Sequence, residues 1–67
     1  MKAFELAIRN HDLLVEVWWE SDDNEFRAIV RKDEVDVGWA GTGDDINDAI
    51  LTAVAIYVKD TQKQKVA

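Results

Sequence analysis

The sequence predicts an α+β fold: a four-stranded antiparallel meander with one C-terminal helix packed on one face. Three observations carry that prediction. Stretches near residues 3–9, 12–20, 25–32 and 35–39 alternate apolar and polar side chains, as half-buried strands do. Clusters of Asp, Asn and Ser separate them, and these residues form turns. Residues 44–59 then change to a helical period. The chain has 67 residues, enough for a single domain (1–67) near the lower limit for one core. It has no cysteine to staple that core, but 48% of its residues are hydrophobic and three are Trp.

In the first stretch, Phe4, Leu6 and Ile8 alternate with Glu5, Ala7 and Arg9, the pattern of a strand. Asn10-His11 would then be a tight hairpin connection. His11 is the only histidine, without a Cys or Ser to form a relay or a metal site, so it reads as a surface turn residue. The second strand places Leu13, Val15, Val17 and Trp19 on an inner face. Leu14, Glu16, Trp18 and Glu20 fall on the outer one. Trp18 is thereby set among carboxylates, either packed on a neighbouring Ile29 or Arg stem or presented as an aromatic anchor.

The third strand turns Phe26, Ala28 and Val30 inward and Arg27, Ile29 and Arg31 outward. A four-residue loop, Ser21 to Asn24, would set Trp19 against Phe26 and Trp18 against Arg27, a cation–π geometry. A register two residues longer would instead pair Glu20 with Arg27 and Glu16 with Arg31. The sequence leaves both open. After a Lys32-Asp33-Glu34 turn, Val35, Val37 and Trp39 point inward along a short fourth strand. Gly38, Gly41 and Gly43 read as a flexible connection to the helix. No Gly-Lys-Ser/Thr follows, so they do not make a phosphate loop.

Thr42 with Asp45 resembles a capping box, and Asp44, Asp45 and Asp48 suit the positive end of a helix dipole. Ile46, Ala49, Ile50, Ala53, Val54, Ile56 and Tyr57 share the helix's apolar face. Leu51 and Val58 widen the stripe to about twice the ~100° that one sheet requires. These two have no evident home in a monomer, which makes them candidate contacts for a helix-to-helix homodimer. The tail, 61–67, is polar and basic and is expected to fray.

Charge is the strongest functional signal. The net charge is −6, but residues 12 to 48 hold twelve acidic side chains against Arg27, Arg31 and Lys32 alone. Such a balance excludes a nucleic-acid backbone as direct partner and favours a patterned negative surface. Four of these acids crowd the elbow Glu20-Ser21-Asp22-Asp23-Asn24-Glu25, more than a turn requires. The elbow lacks the alternating ligands and Gly of a calcium loop, and turn carboxylates in solvent lack the cleft that acid–base catalysis needs. No enzyme, cofactor or metal is therefore expected. Charged residues break any signal-peptide run in the first twenty positions. The longest nearly apolar run, 49–58, is about half of the ~20 residues a membrane span requires. A cytoplasmic protein is expected, in the host bacterial cytosol if the chain is phage-encoded.

The order of three or four strands followed by one helix, with the stretches Glu25-Phe26-Arg27-Ala28-Ile29-Val30 and Gly41-Thr42-Gly43-Asp44-Asp45-Ile46-Asn47-Asp48-Ala49, resembles the HicB-like antitoxin domain over residues 13 to 58. Two departures stand out. Val35-Asp36-Val37-Gly38-Trp39 replaces a Pro-Gly-Cys-type segment, and the family's C-terminal DNA-binding domain is not seen. The resemblance implies a module that neutralises a toxin ribonuclease without repressing its own operon. As a small, acidic, cysteine-free domain the chain also resembles phage-encoded inhibitors that imitate DNA, including anti-CRISPR proteins against type I Cascade complexes. That class implies carboxylates arrayed like phosphates in a partner's basic groove.

The expectation is therefore an acidic inhibitor of a basic, nucleic-acid-binding protein or complex. Its contact residues would be Glu16, Glu20, Asp22, Asp23, Glu25, Asp33, Glu34 and Asp36, with Trp18 as anchor. The HicB-like antitoxin is the alternative, and an oligomer built through Leu51 and Val58 a third reading.

Overall fold

The computed structural model describes residues 3–32 and 38–65 and has an α+β fold with two helices and a three-stranded antiparallel sheet. The elements run α1 (Ala3–His11), β1 (Leu13–Glu20), β2 (Glu25–Lys32), β3 (Trp39–Gly43) and α2 (Ile46–Lys65). The sheet order is β1-β2-β3, so β2 is central. The strand expected at 35–39 falls mostly on residues 33–37, outside the described residues; what is described begins at Trp39 and continues to Gly43.

The first element corrects the sequence reading, because Ala3–His11 is a helix and not a strand. Within so short a stretch, Phe4, Leu6 and Ile8 fit a period of two while Phe4, Ala7 and Ile8 fit a helix. The helical set is the one that packs on the core, and Leu6 stays exposed. Ala, Glu, Leu and Arg also favour helix over strand. The expected Asn10-His11 hairpin is instead the end of α1. Asp12 stops it in the left-handed region (φ 55°), which Asp tolerates better than most residues. The Lys32 ammonium donates to the His11 carbonyl at 2.7 Å, so β2 caps the helix C-terminus.

The shorter hairpin register holds: Trp19 faces Phe26 and Trp18 faces Arg27. Asn24 closes the Ser21–Asn24 turn with φ 51°, a backbone conformation that Asn tolerates. The ion pairs of the longer register also form, as diagonals within the shorter one. Glu16 lies 3.5 Å from Arg31 and Glu20 lies 3.8 Å from Arg27.

The position of α2 follows from two glycines. On β3, Trp39, Gly41 and Gly43 oppose the inward Val30, Ala28 and Phe26, so all three face the helix. A Cβ on Gly41 would run into the Ala53 amide nitrogen and stand 2.9 Å from the Ala49 carbonyl oxygen. One on Gly43 would stand 2.6 Å from the Ala49 nitrogen. Gly41 and Gly43 are thus strand residues in backbone contact with α2, not a flexible connector. Ala49 and Ala53, one turn apart, are small enough to meet them and are fully buried. The pairing draws α2 over β3 and β2 and away from β1.

The remaining core is small. Leu13, Ala28, Val30, Val54 and Tyr57 complete the buried set. At the far end of α2, the Trp39 indole nitrogen donates to Asp60 at 2.9 Å and its ring stands edge-on to Tyr57. Tyr57 also meets the ring of His11, so an aromatic chain ties β3, α2 and α1 together. The tail expected to fray remains helical through Lys65, with the Thr61 hydroxyl donating back to the Tyr57 carbonyl.

Three expectations for the helix change accordingly. Asp45, rather than Thr42, is the N-cap, its carboxylate accepting from the Asp48 amide at 2.7 Å. Ile46 and Ile56 are exposed rather than core. Leu51 and Val58 do have a neighbour, because with Phe4 and Ala7 of α1 they line a shallow groove of about 300 Å³. Val58 is half-buried there, and Leu51 remains 48% exposed.

If the Gly–Ala contact seats the helix, Gly41→Ala should cost about 1–3 kcal/mol in a urea melt, because backbone must yield. Gly38→Ala should cost less, since the Cβ there meets the movable Ile29 side chain. Equal losses at the two positions would refute the assignment.

Candidate protein-interaction surface

The acidic residues gather by topology. In an antiparallel meander the first turn and the exit of the third strand lie at the same end of the sheet. Glu20 opposes Glu25 across the hairpin, and Gly43 opposes Phe26 next to it. The acids of the elbow (Glu20, Asp22, Asp23, Glu25) therefore share one end with those that open α2 (Asp44, Asp45, Asp48). The second group was read from sequence as helix-capping residues and as part of the acidic stretch 12–48, not as contact residues. Strand parity was the signal that could have joined the two groups.

One guanidinium holds the hairpin end of this array. Arg27 contacts Asp23, Glu25 at 3.4 Å and Glu20 at 3.8 Å. Glu20 and Glu25 stand directly opposite one another, and like charges so placed are unfavourable. Arg27 relieves that repulsion by bridging them, so its charge goes to carboxylates. Asp22 makes no ion pair with any described residue and is exposed at the tip. Of the seven carboxylates at this end, three contact Arg27.

Trp18 lies on the outer face as expected, 42% exposed, with its indole nitrogen donating to Glu20 at 3.4 Å. Glu16 is on the same face, farther from the tip and engaged with Arg31. Asp33, Glu34 and Asp36 lie outside the described residues. Of the expected contacts, the structure therefore brings together Glu20, Asp22, Asp23 and Glu25, with Trp18 alongside.

Trp19 is a correction. Its inward side of the sheet is not core at that position, and the residue is 50% exposed, with Val17 beside it at 39%. The cause is the seating of α2 on β3, which leaves the second half of β1 without a covering layer. Trp19 keeps one aromatic neighbour, Phe26, whose ring centre is 4.9 Å away.

Among the described residues, no group of three His, Cys, Asp or Glu side chains is arranged to hold a metal ion. No described helix is long and apolar enough to cross a membrane. Neither a family model, nor a curated protein, nor a solved structure matches this chain.

The bridging role of Arg27 gives a direct expectation. Arg27→Met keeps the apolar stem but leaves Glu20 facing Glu25, and should lose up to about 1 kcal/mol at low salt. Most of that loss should return at about 0.5 M NaCl, where surface charges are screened. A loss independent of salt would mean that packing of the stem, not charge, is what Arg27 supplies.

Proposed function

We propose that this chain is a non-enzymatic, cytoplasmic inhibitor that binds a basic, nucleic-acid-binding partner through its acidic end. It would occupy a groove built for nucleic acid, in the manner of an anti-CRISPR DNA mimic acting on a Cascade-type complex. The observation that carries this reading is the convergence of two acidic groups, distant in sequence, on one end of the sheet. Stability alone would not retain Glu20 against Glu25 with Asp22 and Asp23 at the same tip. Short connections fix the backbone that carries them. Neighbouring strand ends repeat at about 5 Å, so the backbone positions that carry the carboxylates are spaced by the sheet rather than spread along a tail. Trp18, beside Glu20, would supply the apolar anchor that charge alone lacks.

A second reading, the HicB-like antitoxin module, is favoured by one observation. The three antiparallel strands and following helix occur in the order on which that resemblance rests. Such a module would cap its toxin through apolar contacts and would respond weakly to salt.

The test is competition with duplex DNA for a type I Cascade complex. The wild-type protein should displace DNA, and its affinity should fall at least about tenfold between 50 and 200 mM salt. The triple reversal Asp22→Lys, Asp23→Lys, Glu25→Lys should abolish displacement. Undiminished displacement by that variant would end the mimic reading.

A further inference from the structure

We propose that β1 is a self-association edge, and that two copies of this chain join there into one continuous six-stranded antiparallel sheet. The inference goes beyond the reading of the acidic end and does not depend on it. Among the described residues, β1 pairs only with β2, so every second residue along Leu13–Glu20 turns its backbone N–H and C=O to an open edge. The strand has eight residues and carries no Pro, Gly or Lys, the usual protections of such an edge. Its inner row is also unfinished, with Val17 and Trp19 exposed where α2 does not reach.

The charges on β1 select both the occupant and the register. A two-fold axis normal to the sheet keeps the inner faces of both copies on one side. Opposed residues then share a face. An axis at Glu16 would set Glu16 against itself, and one at Trp18 would set Glu16 against Glu20. Both are like-charge pairs and unfavourable. An axis at Val17 avoids them: each Glu16 meets Trp18 of the second copy, and each Glu20 meets Leu14. On the inner face, Val17 meets Val17 and each Val15 meets Trp19. The exposed Val17 and Trp19 of both copies become a shared apolar floor, bounded on each side by the part-buried Val15. An axis at Val15 also avoids like charges but pairs five residues of β1 against seven for Val17, and axes nearer either end pair three or fewer. In the Val17 register Glu20 also sits across Leu14 from Arg31 of the other copy, since Leu14 opposes Arg31 in each sheet. Asp22 and Asp23 lie beyond the paired stretch, so the acidic ends stay open.

Sedimentation equilibrium on the full chain tests the association, and the absence of native cysteine makes single-cysteine cross-linking a clean test of the register. Wild type should reach twice the 7.6 kDa chain mass. Val17→Lys, at a position already part-exposed, should return the mass to one chain with an unchanged circular dichroism spectrum. Paired Val17 Cβ atoms would be about 4.5–5.5 Å apart, close to disulfide range. Oxidised Val17→Cys should therefore cross-link to a dimer, while Leu51→Cys on the helix face should not. A single-chain mass for wild type at all concentrations would overturn the proposal. So would a dimer that persists in Val17→Lys, or one that cross-links through Leu51→Cys in place of Val17→Cys.

Discussion

The contact of Gly41 and Gly43 with Ala49 and Ala53 decides where everything else lies. Two glycines facing two alanines let a helix backbone rest on a strand backbone, and of the three strands only β3 carries glycine. A helix drawn to an edge strand cannot also cover the opposite edge. The second half of β1 is therefore left open, Trp19 becomes a surface residue, and the buried core stays small, with Val30 its largest fully buried side chain. The other long contacts, from Trp39 to Asp60 and from Tyr57 to His11, hold the far end of α2 without shifting it toward β1.

The same arrangement sorts charge along the sheet. β3 ends beside the elbow, and α2 begins there with its capping Asp45, so the helix's own acidic first turn joins the hairpin's. The helix N-terminus accommodates Asp44, Asp45 and Asp48 through its dipole. Among the described residues, Glu20 and Glu25 share Arg27 as their ion-pair partner, and Asp22 has none. Part of the acidic end thus serves local structure, while the hairpin tip carries charge that local structure does not use. That surplus is the physical basis for the proposal that the tip meets a partner.

Much of this was legible in the sequence. The alternation of β1 and β2 fixed their faces but not their register: a four-residue loop would pair Trp19 with Phe26, and the charge pairs Glu20–Arg27 and Glu16–Arg31 made a longer register equally readable. The acidic elbow and the exposed Trp18 were also visible. Three features were hidden for different reasons. Residues 3–11 satisfy two periods at once, and only the broad stripe of α2, lacking a partner, hinted that a second helix would fill it. Gly41 and Gly43 look like a linker until a helix with alanines one turn apart is laid against them. Trp19 follows the inward alternation faithfully, yet inward means buried only where something lies above, and period alone does not give the helix's lateral position.

The most direct test of the account is the set of nuclear Overhauser contacts made by the β3 glycines. The α-protons of Gly41 should show strong contacts to the amide and methyl protons of Ala53, and those of Gly43 to Ala49. The Trp19 indole should show contacts to Phe26 and none to Ala53 or Tyr57. Strong contacts from Trp19 to Ala53 or Tyr57, with those of Gly41 missing, would place α2 over β1. That result would contradict the seating of the helix on which the open edge and the exposed Trp19 rest.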